Sequence, residues 1–354
     1  MRIRFRLPGM FLLGLALASS AAGQAAPAAA PQRWARLGDF RLDNGAVIRD
    51  CRLGYRVAGK LNSARSNAIL WPSWFTGTAG SLLNYAGPGR MLDPGKYFII
   101  FVDALGDGVS SSPSNSRLQP GLRFPRFSVR DMVRSEHRLA AQVLHLPHLL
   151  AVMGISKGGM QSFQWAVSYP GYVSKIIPIV GSPRPAAYDR LLWRTGIEII
   201  RHSRGFDRGA YRHPPPLPAL WDLTSLNLTT RSYRNRRTSL AAFPAWHRRI
   251  EHPAAPFDAD NWLRQAQAMM RLDVARPYGD SMRRAVARVR ARMLIVPSAR
   301  DHMVTPGPAE AFYRLLPAGQ GRLLLLRSDC GHTAPGCEAA RLAAAVRRML
   351  RGAH

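Results

Sequence analysis

The chain has 354 residues, 47% of them hydrophobic, which is ample for the core of one large α/β domain or a domain with an insertion. Lys and Arg number 50 against 21 Asp and Glu, a formal net charge of +29, yet no nucleic-acid-binding motif accompanies it. The basic residues are scattered, and only Lys60, Lys96, Lys157 and Lys175 are lysine, so the charge reads as an arginine-rich solvated surface. No specific nucleic-acid partner is expected, although such a surface is compatible with non-specific adhesion to an anionic envelope.

Taken in order, the chain begins with Arg2, Arg4 and Arg6, the apolar run Met10 to Ala18, and small residues through Ala25. That layout is a secretory signal over 1–25, too short to span a bilayer, with cleavage sites after Ala22 or Ala25. The expected address is therefore export, to the periplasm or beyond. Residues 26–36 read as a flexible leader. No later segment reaches transmembrane length. Phe40 to Arg56 has the pattern of a β-hairpin turning at Asn44-Gly45. Ala68 to Trp71 and Tyr97 to Asp103 are apolar runs typical of buried parallel strands. A Gly/Ser loop, Gly106 to Ser116, is followed by a helix expected over Val129 to Leu144.

Leu149 to Met153 is the next strand, and it runs into Gly154-Ile155-Ser156-Lys157-Gly158. Met160, Phe163, Ala166 and Val167 then recur at helical spacing as far as Pro170. Strand, Gly-x-Ser-x-Gly and helix together make a nucleophile elbow: a turn so sharp that the serine hydroxyl is pushed out of the backbone. Glycines at 154 and 158 are required because a Cβ there would strike the adjoining strand or helix. A further strand, Lys175 to Val180, completes the first part of the core, 37–182. Residues 183–287 are rich in Arg, Trp, Tyr and Pro and lack a convincing strand. They are expected to form a helical cap over the site. The core resumes over 288–354 with strands at Met293–Val296 and Arg322–Leu326, a helix from Pro308 to Leu316, and a last helix bearing Leu342, Ala345, Val346 and Met349.

Strands alternating with helices imply a mostly parallel sheet with helices on both faces. In that arrangement catalytic groups lie on loops that follow strands. Ser156 is the expected nucleophile, His332 its base and Asp301 the carboxylate that orients the imidazole. Asp103, Asp107 and Asp329 are the other candidate acids, and His302 is the other histidine. The oxyanion donors are expected to be the backbone N–H groups of Lys157 and Phe75, with Trp74 next after Phe75. Cys330 and Cys337 flank His332 and are expected to form a disulfide in an oxidising compartment, leaving Cys51 unpaired and buried. Zinc is the competing role for these cysteines, but no second Cys/His pair stands at ligand spacing.

Beyond the elbow, several segments resemble the homoserine O-acetyltransferase branch of the α/β-hydrolase superfamily. They are Asn67-Ala68-Ile69-Leu70, Phe75-Thr76-Gly77, Gly87-Pro88-Gly89, Ser110 to Asn115, Gly158-Gly159-Met160-Gln161, and Asp258 to Leu263 with Ala268-Met269. The likeness runs from about Leu42 to Val346. It implies the α/β-hydrolase fold and a two-step acyl transfer, in which Ser156 takes the acyl group from a small-molecule donor or ester. It implies no bound cofactor, with acyl-CoA as a candidate co-substrate. The family pattern has Gly-His-Asp at the catalytic histidine, whereas Thr333 follows His332 here. Homoserine is accordingly expected to be a poor acceptor. The alternative of another class is an exported, non-catalytic ligand-binding protein on the same fold.

Overall fold

A computed structural model describes residues 30–211, 213–252 and 257–352. The expected export signal and residues 26–29 of the expected leader lie outside them. Within the remainder of that leader, Arg33–Arg36 are strand instead. β1 (Arg33–Arg41) pairs antiparallel with β2 (Val47–Ala58), because Ala35 and Leu37 alternate with polar neighbours and are buried. The turn falls where Asn44-Gly45 places it: Gly45 has φ +85°, and Leu42 N–H donates to Ala46 O at 2.8 Å.

The chain continues through β3 (Ala68–Pro72), a single turn α1 (Ala79–Leu82), β4 (Phe98–Val102), α2 (Val129–Arg138), β5 (Leu149–Ile155), α3 (Lys157–Ser168) and β6 (Val173–Ile179). Six α-helices then precede the next strand: α4 (Ala187–His202), α5 (Pro218–Leu228), α6 (Arg231–Arg237), α7 (Phe243–Glu251), α8 (Ala259–Met270) and α9 (Met282–Val286). β7 (Arg292–Ile295), α10 (Gly307–Arg314), β8 (Gly321–Leu323), α11 (Ala334–Cys337) and α12 (Ala339–Arg351) close the fold.

The eight strands form one sheet in the order β1-β2-β4-β3-β5-β6-β7-β8, parallel from β4 through β8. Each central strand feeds two cores by simple alternation. Leu70, Ile100, Val152 and Ile176 face one, and Ile69, Ile99, Met153 and Ile177 face the other. This two-sided burial explains why the strands read as unbroken apolar runs. β3 and β5 are neighbours whose outgoing connections leave in opposite directions, to β4 and to β6. A crevice at the carboxyl ends of such a strand pair is where α/β sheets bind ligands.

Two elements depart from the periodicity reading. The helix expected to reach Leu144 is α-helical only to Arg138 and then widens into a π-turn over Leu139–Val143, with Leu144 N–H donating to Leu139 O. The extra residue keeps Leu139 and Ala140 buried and rotates Val143 outward to 37% exposure. The last strand pairs only over Gly321–Leu323, and Leu326 returns to the sheet as an isolated bridge to Ser298. That bend carries the following loop across the strand ends.

The inserted helices differ in depth. Every residue from Ala259 to Met269 in α8 is buried. Asp258 caps the helix by accepting from Asn261 N–H at 3.0 Å, and Asn261 Nδ2 donates to Ser114 Oγ at 2.7 Å. α8 is thus fastened to the Gly/Ser loop after β4. Along α6 and α7 no residue is buried.

Candidate active site

Ser156 stands between β5 and α3 with φ +58° and ψ −120°. An L-residue reaches that conformation only under constraint, at a cost of about 1–3 kcal/mol. Here the constraint is visible. Ser156 N–H donates to Ile179 O at 2.9 Å, and α3 starts at once and lies against the sheet. A Cβ on Gly154 would approach the Gly158 carbonyl carbon to 2.3 Å, and one on Gly158 would approach Pro72 O to 2.7 Å. Both glycines singled out in the sequence are therefore required by close backbone approach.

His332 Nε2 lies 2.9 Å from Ser156 Oγ, and its Nδ1 lies 2.7 Å from Asp301 Oδ2. A carboxylate can only accept, so Nδ1 carries the proton and Nε2 is free to accept from the serine hydroxyl. All three residues are buried. The second oxygen of Asp301 accepts from Met303 N–H at 2.8 Å and Val304 N–H at 2.9 Å, which fixes the carboxylate plane. Asp301 therefore both organises its loop and faces the imidazole. The histidine loop is held by Ser298 Oγ donating to Gly331 O (2.8 Å), by Thr230 Oγ1 donating to Asp329 O (2.6 Å), and by a disulfide between Cys330 and Cys337. Both of those thiols are consumed by the bond. Cys51 is unpaired and buried, and burial pushes its thiol up to about 12.

The other candidates are engaged elsewhere. Asp103 accepts from Ala79 N–H and Gln32 Nε2, Asp107 accepts from Val109 and Ser110 N–H, and Asp329 pairs with Arg236. His302 is exposed. Phe75 and Trp74 both line the cavity at Ser156. The Phe75 ring packs edge-on against Trp193 and Trp262, with centroids 5.3 and 5.0 Å away. Lys157 opens α3, where first-turn N–H groups have no intrahelical acceptor.

The side chain of Lys157 carries information that motif reading did not supply. It is fully buried, and Nζ donates to Gln265 Oε1 of α8 at 2.6 Å. Burial pulls the ammonium down to about 8, opposed by the nearby carboxyls of Asp107, Glu136 and Asp103. Glu136 accepts from Trp165 Nε1 at 2.6 Å, and burial raises it to about 8. A buried titratable cluster thus sits directly beneath the elbow. Only the helical spacing of α2 and α8, which puts Glu136 and Gln265 on buried faces, hints at it in the sequence.

Above the elbow is a cavity of about 360 Å³ lined by Trp74, Phe75, Tyr85, Trp193, Trp221, Trp262 and Met303, among others. Its polar lining is Thr76, Ser156, Thr224, His332 and Thr333, and none of the lining residues is Asp, Glu, Lys or Arg. A larger groove of about 550 Å³, near Asp43, Arg126 and Arg271, shares no lining residue with it and contains no histidine or cysteine; its Ser128 donates to Asp131 as part of the α2 N-terminal cap.

No protein-family model matches the chain. Individual proteins do. The chain is 32% identical over 311 residues to an ethyl acetate hydrolase of Pseudomonas veronii, covering 84% of this chain and 87% of that one. The chain belongs to the α/β-hydrolase family. This α/β-hydrolase is also 29% identical over 307 residues to a homoserine O-acetyltransferase of Geotalea uraniireducens, covering 77% and 82% of the two chains. Its fold superposes on that of the acetyl esterase MekB with a TM-score of 0.85 at 30% identity, over 91% and 97% of the chains. The α/β-hydrolase is thus an enzyme, an esterase-like hydrolase or acyltransferase, related to both groups.

Proposed function

We propose that this α/β-hydrolase is a serine esterase that cleaves small, uncharged esters and passes the acyl group to water. The observation that carries the reading is the uncharged, aromatic lining around Ser156. Homoserine is a zwitterion, and burying its carboxylate and ammonium without counter-charges would cost several kcal/mol. A short neutral ester meets no such penalty. An ethyl acetate hydrolase and an acetyl esterase among the relatives support the same substrate class.

In this reading Ser156 Oγ attacks the ester carbonyl carbon while His332 Nε2 takes its proton. Asp301 holds the imidazolium that results. The oxyanion of the tetrahedral intermediate faces the backbone N–H groups of Lys157 and Phe75, each donor lowering the barrier by about 3 kcal/mol. His332 then returns the proton to the departing alkoxide, leaving acyl-Ser156 and free alcohol. Water then attacks the acyl carbon as His332 Nε2 takes its proton, and His332 returns that proton to Ser156 Oγ as the acyl–oxygen bond breaks and the acid is released.

The test is a panel of acetate, butyrate and octanoate esters, together with acetyl-CoA plus homoserine, in the same buffer. Rapid hydrolysis of the short esters and negligible homoserine-dependent thiol release is the expected result. Homoserine acetylation faster than ester hydrolysis would overturn the reading.

A further inference from the structure

The net charge of +29 found no use in the chemistry above, and one part of the surface combines it with exposed apolar side chains. Helices α6 and α7 form a hairpin at the outside of the insertion. Seven consecutive residues at its tip, from Ser239 to Ala245, are exposed, and six of them are apolar. Leu240 is 94% exposed and Phe243 is 47% exposed. Soluble proteins scatter such residues singly, whereas a run of them at a protruding tip marks a contact surface.

Arginines flank the tip on both sides: Arg231, Arg234, Arg236 and Arg237 precede it, and Arg248 and Arg249 follow. The acidic groups of the region are few, and they contact His247 or Arg236 rather than the other arginines. Asp222 and Glu251 both face His247, at 2.9 and 3.5 Å, and Asp329 pairs with Arg236. Arg231, Arg237, Arg248 and Arg249 have no acidic partner among the described residues. The hairpin is also braced rather than loose. The Arg234 guanidinium stacks on Trp246 at 4.3 Å, and Phe243 stacks on His247 at 5.3 Å.

We propose that the α6–α7 hairpin docks this protein on an anionic lipid surface, Leu240 and Phe243 entering the headgroup layer and the flanking arginines meeting the lipid phosphates. Charge complementarity selects this occupant. Each arginine near an anionic leaflet adds attraction that falls off within a Debye length, and an apolar tip adds a component that salt does not screen. The hairpin joins the rim of the cavity, since α7 packs on α5, whose Trp221, Thr224 and Leu228 line it. The proposal does not depend on which substrate the cavity takes.

The experiment is co-sedimentation with vesicles of 40 mol% phosphatidylglycerol in phosphatidylcholine and with vesicles of phosphatidylcholine alone. The wild type should bind the anionic vesicles at least tenfold more tightly. Arg248→Glu with Arg249→Glu should remove most of that preference. Leu240→Ser, alone and with Phe243→Ser, should weaken binding at least threefold and leave the residual binding more sensitive to salt. Melting temperatures within a few degrees of wild type would show the variants folded. Equal affinity for both vesicles, or anionic binding indifferent to all three variants, would overturn the proposal. So would a dimer that Leu240→Ser dissociates in sedimentation analysis while vesicle binding is unchanged, since the tip would then serve self-association.

Discussion

Lys157 and Gln265 are joined by a 2.6 Å hydrogen bond, so the residue that follows the reactive serine holds a helix supplied 108 positions later. Neither side chain reaches solvent. Removing either partner leaves the other buried with an unmet donor or acceptor, a cost of about 1–3 kcal/mol. Lys157→Met and Gln265→Leu should each lower stability by that order. Because both remove one interaction, the double variant should cost clearly less than the two losses added, by about 1 kcal/mol. Denaturant unfolding of the four proteins reads the coupling, and strict additivity would refute it.

Glu136 gives the pH dependence a definite sign. Burial raises its folded pKa to about 8 from an ordinary 4.5, so the folded state holds this proton more tightly. Its contribution to stability is complete below about pH 4.5 and is lost as the pH rises through about 8. Glu136→Gln mimics the protonated form and should remove that loss. The melting temperature of the variant relative to wild type should therefore climb between pH 5 and pH 8.5. A constant difference across that range would show that Glu136 does not titrate there.

Ser156→Ala and His332→Ala should each lower kcat by about 10⁴-fold or more, and the double variant should be scarcely worse, because the pair acts as one unit. Asp301→Asn should cost activity through the wrong imidazole tautomer. The turn at Met303 and Val304 should hold, because the amide oxygen can still accept both N–H groups that now go to one carboxylate oxygen. Near-wild-type turnover in either single alanine variant would end the assignment. A fluorophosphonate label blocked only in Ser156→Ala would identify the nucleophile independently and would count against a purely ligand-binding protein.

Gly154→Ala tests the elbow itself. The added methyl would lie 2.3 Å from the Gly158 carbonyl carbon, a backbone atom that cannot yield without moving α3. Overpacking of this kind costs typically about 1–3 kcal/mol and displaces what is attached. Stability and activity should fall together, and a variant with wild-type melting and turnover would contradict the geometry.

The Cys330–Cys337 bond closes a short loop with a sequence separation of 7, so chain entropy limits its contribution to about 2.5 kcal/mol. Its local effect is larger in proportion, since His332 lies inside the loop. Cys330→Ser with Cys337→Ser should lower kcat more than fivefold while moving the melting temperature by only a few degrees. The bonds from Ser298 and Thr230 limit the loss. A kcat equal to wild type in the double variant would show that those two bonds hold the histidine loop without the disulfide.

What the sequence made legible follows from which constraints are local. The elbow, its two glycines and the apolar parallel strands depend on backbone geometry within a few residues, and the motif spells them out. Ser156, Asp301 and His332 could be named because each follows its own strand, although the contact between the first and last spans 176 positions. Arg33–Arg36 reads as leader because its arginines and a nearby proline mask the start of a strand whose buried positions are Ala35, Leu37 and Phe40. The π-turn at Leu139 keeps the apolar composition of an α-helix and changes only its winding. The Lys157 cluster is assembled from α2, α3, α8 and the loop after β4, so helical spacing hints only at the buried faces of Glu136 and Gln265 and not at their meeting with Lys157.

The contrast between α8 and the hairpin outside it bears on how the enzyme can be re-engineered. α8 is sealed into the protein along its length and tied to the elbow and to Ser114, so an exchange that includes it would disturb the chemistry. The segment from Pro218 to Glu251 carries Trp221, Thr224 and Leu228 into the cavity but has no buried position along α6 or α7. With Thr230 kept, because its hydroxyl holds Asp329 O of the histidine loop, it is the natural cassette for grafting: swapping the rest of that stretch would reshape the entrance and the outer face while the hydrolytic machinery stays in register.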